Sequence, residues 1–101
     1  MTNPGITVTL SFTLREDFTD TFCGSLPDML KDTAKRPGFR SIRVVKHKDK
    51  PNEVLFIEEW DSEADYLAYI EWRRARGDMN RPEGLVLKQE LAFWPTVVAA
   101  A

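Results

Sequence analysis

Tyr69, Trp72 and Arg73 lie within one turn of a segment with helical spacing, where a phenol, an indole and a guanidinium fall on adjoining positions. Aromatic rings beside a guanidinium form a flat, apolar, partly cationic wall, suited to a planar substrate that carries phenolic or quinone oxygens. A competing account makes Tyr69 and Trp72 boundary residues that cover the core edge while Arg73 reaches solvent. Trp60, nine residues before Tyr69, has the same two readings, as a seal on a core edge or as a pocket lining. His47 is the one side chain whose unperturbed pKa lies near neutrality, which makes it the candidate base for a phenol proton. It also sits among Lys46, Lys48 and Lys50, where a solvated histidine at the end of a basic hairpin is the simpler account.

Other chemistries have little to work with. Cys23 has no partner for an internal disulfide, and one cysteine with one histidine cannot make the Cys/His clusters of zinc or haem-attachment sites. No cofactor and no metal are expected. Cys23, just off an apolar helical stripe, reads as a small semi-buried filler. The sequence has no Gly-x-Ser-x-Gly elbow and no glycine-rich phosphate loop. Fourteen basic and sixteen acidic side chains leave a formal charge of -2 with no long stretch of one sign, so neither nucleic acid nor an anionic membrane is indicated as a partner. The residues Met1-Thr2-Asn3-Pro4-Gly5 lack the pattern of a secretory signal, and no apolar run reaches membrane-spanning length. The expectation is a soluble, cytoplasmic protein. At 101 residues, 43% hydrophobic and 30% charged, residues 1–101 suit one domain with one modest core.

The elements that must position these residues follow from periodicity. Ile6, Val8, Leu10, Phe12 and Leu14 alternate with Thr7, Thr9, Ser11 and Thr13, the pattern of a strand buried on one face. Phe18, Phe22, Leu26, Leu30 and Ala34 then recur every fourth position, with Met29 in the same stripe, and predict a helix that is kinked or divided at Pro27. Pro37-Gly38 ends it. Phe39 to Lys48 and Glu53 to Trp60 read as two strands joined by a turn at Asp49, Pro51 and Asn52, an antiparallel hairpin. Asp61-Ser62, with Asp65 at the capping-box position, starts a helix that runs to Gly77. On this helix Ala64, Leu67, Ala68 and Ala75 are expected to face the sheet. A loop with Pro82 and Gly84 leads to a last strand, Leu87 to Trp94, and Pro95 begins a tail that extends or stays loose.

The order β-α-β-β-α-β is that of a ferredoxin-like α+β fold, a four-stranded antiparallel sheet with two helices on one face. Leu55 and Ile57 alternate with Val54 and Phe56, so both faces of that strand are apolar, and the face without helices is expected to cover a second copy in a homodimer.

The chain resembles the antibiotic biosynthesis monooxygenase-type dimeric α+β barrels, a family with small quinol monooxygenases and haem-degrading relatives. The resemblance covers most of the chain. It rests on Asp32-Thr33 with Pro37-Gly38-Phe39, on Glu59-Trp60 with Ser62, and on Tyr69, Trp72-Arg73 and Gly77-Asp78. The last group is similar to a little-characterised branch. Other branches often place histidine where Tyr69 stands, and the haem-degrading branch uses an asparagine on the first strand, which here offers Thr7, Thr9, Ser11 and Thr13. The resemblance implies cofactor-free oxidation of a small phenol or hydroquinone by dioxygen in an apolar pocket. In that scheme Tyr69, Arg73 and His47 are the candidate catalytic residues, with Arg73 stabilising an anion and Tyr69 donating a hydrogen bond. Trp60, Trp72 and Tyr66 are the candidate substrate-binding aromatics. The alternative within the same fold is a non-catalytic dimer that binds a small aromatic ligand or serves a structural role.

Overall fold

The computed structural model describes residues 3–101. Its elements are β1 (Ile6–Leu14), α1 (Thr19–Thr33), β2 (Phe39–Lys46), β3 (Glu53–Trp60), α2 (Glu63–Ala75) and β4 (Val86–Trp94), with a single 3-10 turn, Glu16–Phe18, leading into α1. All four strands form one antiparallel sheet in the order β2-β3-β1-β4. This is the ferredoxin-like arrangement that the periodicity predicts. Among the described residues, no helix is long and apolar enough to cross a membrane.

Strand register decides which side chains meet the helices. Leu10 opposes Phe56 and Phe12 opposes Val54, and directly opposed residues of an antiparallel pair share a face. The inward side of β3 is therefore Val54, Phe56, Glu58 and Trp60, all buried. Two apolar clusters fill the layer between sheet and helices. One, under α1, gathers Leu10, Phe12, Leu14, Phe22, Leu26, Val54 and Phe56. The other, under α2, gathers Ile6, Val8, Trp60, Tyr66 and Tyr69. Edge-to-face contacts join Phe12 to Phe22 and Phe56, with ring centroids 5.5 and 5.4 Å apart.

Helix α1 runs through Pro27 as one element. Proline removes the donor that would reach the Cys23 carbonyl, and its exposed position lets water serve that carbonyl instead. Ser62 caps α2 as expected: its Oγ accepts from the Asp65 backbone N–H at 3.1 Å and donates to the Asp65 carboxylate at 3.0 Å. Gly38 adopts φ 81° directly against Asp65, where a Cβ would overlap the carboxylate. Its carbonyl accepts from Asp61 N–H at 2.7 Å, which docks the Pro37-Gly38 turn onto the start of α2.

The face that α2 turns inward corrects the sequence expectation. Ala64, Ala68 and Ala75 are exposed and Leu67 retains 45% of its surface, whereas Tyr66, Tyr69 and Arg73 are buried with Ile70 partly so. Two phenol rings remove far more apolar area from water than three alanine methyls and a leucine, and that difference sets the helix rotation. The opposite face of the sheet carries Thr7, Thr9, Ser11, Arg43, Val45, Leu55, Ile57 and Trp94, with no helix over it. Residues after Trp94 form no helix or strand.

Candidate functional site

Where the two apolar clusters meet, a small cavity of roughly 60 Å³ remains between helices and sheet. Leu10, Phe12, Phe22, Met29 and Phe56 wall one side, and Tyr66, Tyr69 and Ile70 the other. Glu58, Arg73 and Asp78 supply its polar surface, while Met79 and Arg81 close it from the connection between α2 and β4. The Arg81 guanidinium lies over the rings of Phe12 and Phe22, 5.8 and 5.5 Å from their centroids, and desolvation lowers its pKa.

Arg73 is held from four directions. Its Nε donates to the Tyr69 hydroxyl at 3.2 Å, Nη1 to Asp78 Oδ2 at 3.0 Å, and Nη2 to the Met29 carbonyl at 2.8 Å and to Thr33 Oγ1 at 3.0 Å. Met29 lies one turn before the end of α1, where its carbonyl also accepts from the Thr33 hydroxyl at 3.3 Å, so the guanidinium ties the C-terminal ends of both helices together. Thr33 Oγ1 and the Tyr69 hydroxyl also share a hydrogen bond at 3.0 Å. Four of the five guanidinium N–H donors are thereby engaged, which leaves one for anything in the cavity.

Glu58 was not singled out from the sequence. It is 2% exposed, and its Oε1 accepts the Trp60 indole N–H at 3.1 Å. No ion pair forms with it among the described residues, and the Arg73 guanidinium of the same cavity is bound to Asp78. Burial pushes its carboxyl up to about 7, partly offset by the Trp60 hydrogen bond. Burial likewise raises the Tyr66 hydroxyl far above its ordinary value, helped by the charges of Glu58 and Tyr69. One sequence signal did point inward: Val54, Phe56, Glu58 and Trp60 alternate on a single strand face.

The structure brings Trp60, Tyr66, Tyr69 and Arg73 together. Trp60 is fully buried behind the cavity, its ring 5.1 Å from that of Tyr69 and 5.9 Å from that of Tyr66. Trp72 turns away from the cavity and lies half-buried under three guanidiniums, those of Arg36, Arg76 and Arg73, at 4.3, 4.5 and 4.9 Å. His47 stands apart from all of them. It is exposed at the β2–β3 turn, where its Nδ1 accepts from the backbone N–H groups of Asp49 and Lys50 at 3.0 and 3.2 Å. Its backbone N–H donates to the Glu53 carbonyl, at the opposite end of β3 from Trp60 and roughly 23 Å away at about 3.3 Å per residue. Among the described residues, no group of three or more His, Cys, Asp or Glu is placed to hold a metal ion.

The model of the family "antibiotic biosynthesis monooxygenase" matches residues 5–74. No curated protein matches the sequence. Solved structures align over nearly the whole chain. A protein from Shewanella oneidensis superposes with a TM-score of 0.81 at 19% identity, covering 97% of this chain and 96% of its own. The haem degrader MhuD from Mycobacterium tuberculosis, whose structure holds two haems in its active site, gives 0.75 at 10% identity over 95% and 99%. A Nitrosomonas europaea protein that carries the antibiotic biosynthesis monooxygenase name gives 0.73 at 13% identity over 100% and 98%. At these identities the likeness is one of fold.

Proposed function

The chain belongs to the antibiotic biosynthesis monooxygenase family, and from that premise we propose that it is a cofactor-independent monooxygenase of a small phenol or hydroquinone. The substrate ring enters the cavity under α2, loses its phenolic proton, and as the electron-rich anion passes an electron to dioxygen. One oxygen atom is incorporated and the other leaves as water. The observation that carries this reading is the convergence of Tyr66, Tyr69 and Arg73 with a buried carboxylate on one otherwise apolar cavity. Tyr69 donates its hydroxyl to the phenolate, the one free N–H of Arg73 adds charge, and Trp60 backs the stack. Trp72 borders the site from outside rather than lining it, and His47 has no part in it.

A volume of roughly 60 Å³ is well below the ~300 Å³ at the small end of ligand sites. Substrate entry therefore displaces Met79 and Arg81, long side chains on the connection that closes the cavity. The open sheet face, with Leu55, Ile57 and Val45 and with Trp94 57% exposed, covers a second copy, and the functional unit is a homodimer of chains that each act as one domain over residues 1–101.

The test is oxygen consumption. Chelator-treated, flavin-free protein should take up dioxygen with a hydroquinone faster than autoxidation, and Tyr69→Phe should slow it. Uptake equal to that of buffer would remove the assignment. A second reading, a binder or structural member without turnover, is favoured by the engagement of four Arg73 donors. It predicts saturable binding of the aromatic with no oxygen consumed.

A further inference from the structure

Glu58 is a buried carboxylate whose one hydrogen bond, from the indole N–H of the fully buried Trp60, an uncharged glutamine would accept as well. Removing a carboxylate from water is costly unless it is paired or amply hydrogen-bonded, and here one oxygen accepts a single indole N–H while the other makes no hydrogen bond among the described residues. The groups that face it are few. From α2 come Tyr66, Tyr69 and Arg73, and from the connection beyond it Asp78 and Arg81. Its neighbours across the sheet, Val8 on β1 and Ile42 on β2, are apolar. The two cations do not neutralise it, since Arg73 is committed to Asp78, Tyr69, Thr33 and Met29, and Arg81 lies over phenyl rings.

We propose that Glu58 is the proton acceptor for the phenol hydroxyl of the bound substrate, an inference that rests on reading this cavity as the substrate site. Trp60 donates to Oε1, which holds the carboxylate and leaves Oε2 as the unengaged oxygen of a residue that lines the cavity. In the step, the substrate O–H bond breaks heterolytically. The proton moves to Oε2, the electron pair stays on the substrate oxygen, and a carboxylate and a phenol become a carboxylic acid and a phenolate. No electron is transferred in this step. Charge is conserved within the dry site, so burial that disfavours the Glu58 carboxylate makes it a stronger base toward a phenol beside it. Its carboxyl, near 7, stands where a base works at neutral pH. Trp60 is on this account a positioning residue.

The experiment uses the full chain and 3-nitrophenol under nitrogen, read by the absorbance that distinguishes the phenolate from the phenol, at a pH above the Glu58 value of about 7 and below the probe's own pKa. Binding to wild type should raise the phenolate fraction above that of free probe, and Glu58→Gln should bind the probe as neutral phenol. In air with a hydroquinone, Glu58→Gln should lower kcat/KM by about 10²- to 10⁴-fold, with Glu58→Asp recovering part of the loss. Equal phenolate fractions on wild type and Glu58→Gln overturn the assignment, as does failure of wild type to bind the probe. A wild type that deprotonates the probe but consumes no oxygen keeps Glu58 as the acceptor and removes the monooxygenase reading.

Discussion

Replacing Glu58 by glutamine should change how stability depends on pH, by an amount set by the environment of that one side chain. In the native fold its carboxyl is raised from 4.5 to about 7 because it is buried without a counter-charge. Between those values the folded protein holds the proton while the unfolded chain has released it, so folded wild type loses stability as pH rises. The loss levels off above pH 7, where both states are ionised. At 1.36 kcal/mol per pH unit the full penalty is roughly 3 kcal/mol, of which about 2 to 3 kcal/mol accrues between pH 5 and pH 8. Glutamine has no such titration and can still accept from the Trp60 indole. Urea unfolding followed by tryptophan fluorescence, at fixed protein concentration, should therefore show Glu58→Gln gaining on wild type by that amount across the window. Groups common to both proteins cancel in the comparison. Parallel stability curves for the two would show that Glu58 is neither desolvated nor unpaired, and the case for a base in the cavity would go with it.

Two further outcomes test the frame around the site. Arg73→Met should destabilise the fold by about 3 kcal/mol or more, since it removes at once the donors that reach Asp78, Tyr69, Thr33 and the Met29 carbonyl; a loss below about 1 kcal/mol in urea unfolding would show that the clasp between α1 and α2 is not needed. Sedimentation at micromolar concentration should find particles of two chains, split by Ile57→Lys on the open sheet face, and a monomer in wild type would refute the covering of that face by a second copy.

Much of the fold was legible because burial here is one-sided. Ile6 to Leu14 alternates without a break, and the β2–β3 hairpin and the Ser62 cap carry local signals that tertiary contacts reinforce. The face of α2 was not, because small residues at helical spacing resemble a packing stripe as well as aromatic ones do. Only the actual depth of the layer decides that Tyr66 and Tyr69 fill it while Leu67 stays out. Arg73 was legible as a site residue but not as a clasp, because its partners at Met29 and Thr33 lie forty residues or more earlier in the chain. His47 drew notice for its intrinsic pKa, a property that says nothing of location. Glu58 is the reverse case: an ordinary residue type whose strand parity, shared with Phe56 and Trp60, places it inside.

A crystal structure of the protein with hydroquinone, grown without oxygen, tests the central claim most directly. The account predicts the ring between Tyr66, Tyr69 and Phe56, with Met79 and Arg81 moved outward and one phenolic oxygen within hydrogen-bond distance of both Glu58 and the Tyr69 hydroxyl. A ring bound on the open sheet face or against Trp72, with the cavity unchanged, would contradict it.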